Sequence, residues 1–280
     1  MRVRFWGTRG TFVSPGSAFQ RYGGNTICTE IVSAGGARIV LDLGTGCIPL
    51  GNSLVGEAAK GGSKRFLCLL SNTQIDHIQG LPFFVPALVP GWDLTIMGPT
   101  HAGRDISGVL DGALNPNYSP LYGLGNLAAK LELKTIAEGE IIWDGVRVMT
   151  RDLPHGATRA LGFRIETDGG AVAYLTDVIY RGDPPPAAID LAGGADLLIH
   201  DAMAGEEGVV KRREFGHASV EDALFVMRES GAKKLLLYHH DPDRTDVHMD
   251  VLLEKTRRAA PGIAVEGAKE GDVLTVGRAS

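Results

Sequence analysis

The sequence predicts a strand-rich α/β fold in which two sheets are covered on their outer faces by helices. Short β-branched or alternating runs recur along the 280 residues. Hairpin-turn signals stand early and late, at Gly35-Gly36 and at Asp168-Gly169-Gly170. Segments of helical periodicity fall between the strand groups, the order expected where helices layer over sheets.

The strand runs are 3–6, 26–32, 38–42, 66–70, 94–97 and 146–150, followed by 161–167, 171–176, 196–200, 234–238 and 273–276. Helical spacing is clearest over 219–230, where Val220, Ala223, Leu224 and Met227 share a face and Gly231 follows as a cap. The spans 45–60 and 246–258 repeat less regularly. No internal period of 20 to 50 residues is visible, and Pro184-Pro185-Pro186 reads as a surface loop. One domain over 1–280 is expected.

Hydrophobic residues at 44% and charged residues at 22% exclude a disordered or fibrous chain. The apolar stretches are short and broken by proline, so no membrane span is expected. Residues 1–7 alternate arginine with apolar side chains and read as a first strand rather than a signal peptide. Cys28, Cys47 and Cys68 form no CxxC pair, which fits reduced thiols and a cytoplasmic location. A net charge of −5 disfavours an extended nucleic-acid track and leaves room for a small anionic ligand. Lys211-Arg212-Arg213 reads as a solvated turn, Arg9 and Arg159 as solvated loop arginines, and 83–89 as an exposed apolar stretch suited to a homodimer.

The chemistry gathers where apolar strands end. The run Leu67-Cys68-Leu69-Leu70 passes into Ser71-Asn72-Thr73-Gln74-Ile75-Asp76-His77, placing a carboxylate and an imidazole together on a loop. Alone, such a pair is as well explained by a capping Asp before a helix. The pattern recurs, however: Asp177 ends 171–176, His200 and Asp201 end 197–199, and His239 and His240 end 235–238. Repeated strand ends in Asp or His are hard to attribute to packing, and such a set suits zinc, manganese or iron.

Several segments resemble the metallo-β-lactamase superfamily, in its ribonuclease Z-like and cyclic-phosphodiesterase-like branch. They are Phe5-Trp6-Gly7-Thr8-Arg9-Gly10, Tyr22-Gly23-Gly24-Asn25-Thr26, Leu41-Asp42-Leu43-Gly44-Thr45-Gly46, Asp76-His77-Ile78-Gln79-Gly80, Leu175-Thr176-Asp177, Gly216-His217-Ala218-Ser219 and Tyr238-His239-His240-Asp241-Pro242. The resemblance implies a four-layer αββα sandwich with its site at one edge between the sheets. It implies a metal-binding segment His-x-His-x-Asp-His, whose positions here hold Asn72, Gln74, Asp76 and His77. One metal position would then be complete in Asp76, His77, Asp177 and His239, and the other reduced to His155 and a share of Asp177. Amide oxygens donate weakly compared with imidazole, so one divalent ion, zinc first and manganese or iron next, is expected rather than two.

The implied activity is metal-dependent hydrolysis of a phosphodiester, with a small phosphorylated molecule or nucleotide as partner. Asp76, His217 and Glu221 form the expected catalytic set, Glu221 orienting the His217 imidazole from four residues on. The alternative is a silent member that binds a nucleotide or protein partner as a sensor, with an iron-based redox sensor as a third reading. His200 and Asp201 are expected to hydrogen-bond rather than ligate, His240 to lie behind the site or at the surface, His101 and His248 at the surface, and Asp42 to brace its turn through backbone amides.

Overall fold

The computed structural model describes residues 1–156, 158–204 and 216–277; Lys211-Arg212-Arg213 and the Arg159 side chain lie outside the described residues. Seven strands make the first sheet, in the order β14-β1-β2-β3-β4-β5-β6: β1 (Arg2–Gly7), β2 (Cys28–Val32), β3 (Arg38–Leu41), β4 (Arg65–Leu69), β5 (Asp93–Gly98), β6 (Lys130–Thr135) and β14 (Val273–Thr275). The second runs β13-β12-β11-β10-β9-β8-β7, from β7 (Gly139–Trp143), β8 (Val146–His155), β9 (Thr158–Thr167), β10 (Gly170–Leu175), β11 (Leu197–Asp201), β12 (Leu235–Tyr238) and β13 (Val265–Gly267).

Helix α1 (Cys47–Ala58) and the short α2 (Ile75–Ile78), α3 (Val85–Leu88) and α4 (Ile106–Ala113) follow strands of the first sheet. Helices α5 (Pro186–Ala192), α6 (Val220–Ser230) and α7 (Asp246–Ala259) follow strands of the second. Three apolar layers result. Phe5, Ile31, Leu69, Phe163, Tyr174 and Tyr238 pack between the sheets, Leu50 and Leu54 of α1 pack with Phe66 on the outer face of the first sheet, and Leu191 of α5, Leu224 of α6 and Leu253 of α7 pack on that of the second. This is the four-layer αββα sandwich expected from the sequence.

Both sheets share one plan. In each, an antiparallel run leads into parallel strands: β1 to β3 then β4 to β6, and β7 to β10 then β11 to β13. The repeat is architectural, and no periodicity of the sequence announces it. Because the parallel strands of a sheet point one way, their carboxyl ends share an edge, where open sheets collect ligands. β8 is antiparallel to β9, which is antiparallel to β10, so β8 also delivers its last residue, His155, to that edge.

Two local expectations change and a third is narrowed. Arg9 is fully buried, its Nε donating to Gly23 O at 2.6 Å and its Nη1 to Arg244 O at 2.7 Å and Asp241 O at 3.1 Å; it ties loops together instead of meeting solvent. Within 83–89, Phe84, Pro86 and Ala87 are buried against the helices of the first sheet and only Phe83 stands wholly exposed, so the stretch is core rather than a free apolar surface. His240 is buried, its Nε2 donating to Ala268 O at 2.8 Å.

Burial, with Arg9 and Arg244 nearby, pushes the His240 pKa down to about 3. An unfolded histidine takes a proton near pH 6.5, so between pH 6.5 and 3 the unfolded chain binds the proton and the folded chain refuses it. Stability should therefore fall on acidification through that window, by at most about 1.4 kcal/mol per pH unit from this group. Urea melts of the protein and of His240→Gln at stepped pH should show a flatter acid slope for the variant; equal slopes would remove His240 as the cause.

Candidate metal centre

The turns that leave the strands aim the polar residues. Asp42 after β3, Asp177 after β10 and His239 after β12 all take left-handed backbone angles, with φ of 62°, 52° and 53°, as does Thr11 with φ 64°. Such angles cost a non-glycine residue about 1 kcal/mol or more and cluster at functional sites. Here each one swings a buried side chain or an amide toward the shared edge.

Asp76, His77, Asp177 and His239 meet there. His239 Nε2 lies 3.2 Å from Asp76 Oδ2 and 3.5 Å from Asp177 Oδ1, and His77 Nε2 contacts Asp177 Oδ2. Thr11 N donates to Asp76 Oδ2 at 2.7 Å. His155 stands further off, with Nε2 4.0 Å from Asp177 Oδ1. All five residues are buried.

The structure adds Asp201 and changes the partner of His217. One donor atom each from Asp177, Asp201, His217 and His239 lie within 4.8 Å of one another, as do atoms of Asp76, His77 and His239. His217 Nδ1 is 2.9 Å from Asp201 Oδ2; a carboxylate only accepts, so Nδ1 carries the hydrogen. Glu221, expected in this role, is exposed on the first turn of α6. One helical turn of spacing brought it near in sequence, but the capping box between Ser219 and Asp222 sets the helix with Glu221 facing outward. The strand-end signal at Asp201 was present in the sequence. His200 does turn away, its ring between the Tyr180 hydroxyl at 2.9 Å and Asp201 O at 2.7 Å.

Tautomers follow from the partners. Ser71 Oγ donates to Asp42 Oδ2 at 2.8 Å, so it accepts from His77 Nδ1 at 3.2 Å. The His77 Nε2 lone pair therefore faces Asp177. Likewise His155 Nδ1 donates to Gly216 O at 2.9 Å and leaves Nε2 as an acceptor toward Asp177. A Cβ at Gly216, where φ is 101°, would come within 2.7 Å of His155 Nδ1, so glycine is required for this contact. Asp42 also accepts from Ser71 N at 2.9 Å and from the Tyr174 hydroxyl at 2.7 Å, bracing a side-chain network beyond its own turn.

Lone pairs that face one another in a dry site need a cation between them. Both Asp177 oxygens and His77 Nε2 are buried without a well-formed hydrogen bond, and such groups call for an explanation. Burial raises the Asp177 carboxyl, but His239 and His77 outweigh it and hold it well below the usual carboxylate range. Burial lowers His239, yet Asp177 and Asp76 outweigh it and lift it to about 9. The donor set of carboxylates and imidazoles fits a divalent metal such as zinc, manganese or iron.

Asn72 and Gln74 behave differently. Asn72 Oδ1 accepts from Thr73 N at 2.6 Å and Gln74 N at 3.0 Å, so its amide oxygen is spent on a local turn. Gln74 is half-buried at the start of α2.

A sequence model of the beta-lactamase superfamily domain matches residues 58–240. A protein named ribonuclease Z from Thermoplasma volcanium is 28% identical over 192 residues, covering 55% of this chain and 62% of that protein. The chain thus spans under two thirds of that relative. The metallo-beta-lactamase fold protein YhfI from Bacillus subtilis superposes with a TM-score of 0.69 at 20% identity, over 98% of this chain and 99% of that one. A diphosphatase of the PhnP family superposes with a TM-score of 0.66 at 16% identity, over 98% and 97%. Among the described residues no helix is long and apolar enough to cross a membrane.

Asp42 orients His77 from behind, and such partners commonly change metal affinity by about 10- to 100-fold. Asp42→Asn should weaken zinc binding on that scale while circular dichroism stays native. Unchanged affinity in a competition titration would deny Asp42 that role.

Proposed function

The chain belongs to the beta-lactamase superfamily, and on that premise we propose that it is a metal-dependent hydrolase of phosphodiester type, using one divalent ion. The observation that carries this reading is the convergence of Asp76, His77, Asp177 and His239 around unsatisfied Asp177 oxygens. The ribonuclease Z name of the relative supports a phosphate ester as substrate class. The net charge argued against an extended nucleic acid, while that name runs the other way, so a small RNA belongs beside cyclic nucleotides among the substrates to be tried.

Asp76, His77, Asp177 and His239 would hold the ion, which when bound polarises a phosphoryl group and lowers the pKa of water. Thr11 N fixes Asp76, and Asp42 with Ser71 fixes His77. His217 donates a hydrogen bond from Nδ1 to Asp201, which leaves Nε2 to take up a proton from solvent and pass it to the departing oxygen, the carboxylate supporting the ring while it is positive. The outward-facing Glu221 has no part in this step.

Asn72 favours a second reading. Its committed amide oxygen removes a ligand from the neighbouring position, which suits a protein that binds a nucleotide or protein partner without turnover. Elemental analysis separates these readings from the outset. The native protein should carry one equivalent of metal and Asp76→Ala close to none. Turnover of bis-p-nitrophenyl phosphate with zinc, manganese or iron supplied should fall by at least about 100-fold in the same variant, in line with loss of a transition-state interaction of a few kcal/mol. Tight nucleotide binding in chelator with no turnover would replace the hydrolase by the sensor. The double variant Asn72→His with Gln74→His should raise occupancy toward two ions; unchanged stoichiometry would reject those positions as the second site.

A further inference from the structure

The loop that closes one side of the metal centre also walls a cleft. Three residues after Thr11, whose amide holds Asp76, Ser14 lines an open hollow of about 480 Å³ together with Ser17, Phe19, Gln20, Asn25 and Glu270. Ser14 Oγ donates to Pro242 O at 2.7 Å, and Pro242 lies three residues past His239. Three residues of chain reach at most about 10 Å. The cleft therefore opens within one nucleotide's length of the site carboxylates.

Gly23-Gly24 makes the cleft what it is. A Cβ at Gly23, where φ is 96°, would sit 2.2 Å from Glu270 Cγ, and one at Gly24 would sit 2.3 Å from Ser14 O. Bare backbone is needed for Glu270 to come in. There Asn25 N donates to Glu270 Oε1 at 2.5 Å and Asn25 Nδ2 to Oε2 at 3.1 Å, fixing the carboxylate by one edge. The Gly24 amide bonds this carboxylate as well; of the about four acceptor sites on two oxygens, about one remains.

The lining chemistry selects the ligand. Hydroxyls, side-chain amides, one aromatic ring and one carboxylate face the hollow, and no lysine or arginine is among its lining residues. The nearby Arg9 gives Nε and Nη1 to backbone carbonyls, keeps Nη2 without a partner, and lies behind the Phe19 ring, wholly buried. A phosphate in the hollow therefore meets no exposed cation. A neutral ring bearing vicinal hydroxyls does find partners: a carboxylate accepts from ribose hydroxyls, amides pair with base edges and an aromatic face receives a flat base.

We propose that this cleft is the nucleoside subsite of the phosphodiester substrate, with Glu270 accepting from a ribose hydroxyl. The substrate is then a ribonucleotide whose phosphate lies at the metal centre, an inference that rests on the hydrolase reading for the phosphate but not for the nucleoside.

Calorimetric titration of the zinc-loaded full chain with the four ribonucleoside 5′-monophosphates and their 2′,3′-dideoxy counterparts tests it. At least one ribonucleotide should bind about tenfold more tightly than its dideoxy form, the worth of a hydrogen bond to a charged group. Glu270→Gln should erase that difference, and Ser17→Trp, on the exposed wall, should block both forms. Should Glu270→Gln fail to fold, Ser17→Trp decides alone. Equal binding of ribo and dideoxy forms, or unchanged affinity in Ser17→Trp, would overturn the subsite. Repeating the titration with the unphosphorylated nucleosides on Asp76→Ala separates the two ideas: a ribose preference retained there upholds the cleft even if the hydrolase reading has failed, and its loss counts against the cleft.

Discussion

A carboxylate buried between imidazoles governs this molecule. Asp177 has no exposure, and neither of its oxygens has a well-formed hydrogen bond. A lone carboxylate in that position would cost several kcal/mol. His77 reaches it from the first sheet and His239 from its own, so neutralisation requires both halves of the sandwich to be in register. The apolar layer between the sheets, with Phe163, Tyr174 and Tyr238 in it, supplies that register. Left-handed strain at Asp177 and His239 is held in place by the same packing.

The two halves repeat one plan, and their equivalent positions have diverged. Asp42 follows the third antiparallel strand of the first half, as Asp177 ends the corresponding run of the second, and both adopt positive φ. Asp42 is saturated by Ser71 N, Ser71 Oγ and the Tyr174 hydroxyl. Asp177 is left receptive. One backbone device thus yields a brace in one half and a receptive carboxylate in the other, and the difference lies in which donors the neighbouring strands bring.

Strand ends were legible in the sequence because apolar runs that stop at Asp or His break the expected pattern. The helix starting after Ser219 was legible through its cap and its apolar face. Strands β6 and β7 were not: Lys130–Thr135 shows an alternating half-exposed edge pattern, and β7 is a short sheet edge whose apolar residues do not alternate and whose Ile142 is exposed. The His217 partner was misread because sequence spacing favours the local Glu221. Asp201 is sixteen residues away and comes close where Ala204, just past β11, bonds Ala218 O and pairs with Ser219. Burial of Arg9 was equally invisible, since its acceptors are backbone carbonyls that carry no side-chain signature. Glu270 reaches the cleft across 245 residues of chain, through a glycine whose role appears only when a side chain is imagined there.

Asn72 is bonded into the segment that carries Asp76 and His77. An imidazole at that place would offer a nitrogen to a cation, whereas the amide oxygen turns back onto the Thr73 and Gln74 amides. Those two bonds shape the turn that leads into α2, and α2 carries Asp76 and His77. On the proposed reading, the amide leaves one coordination position short while its two bonds hold the segment that carries Asp76 and His77. Ser71 braces His77, the Thr11 amide holds Asp76 and Asp201 holds His217, contacts of the kind that orient ligands where a metal is bound.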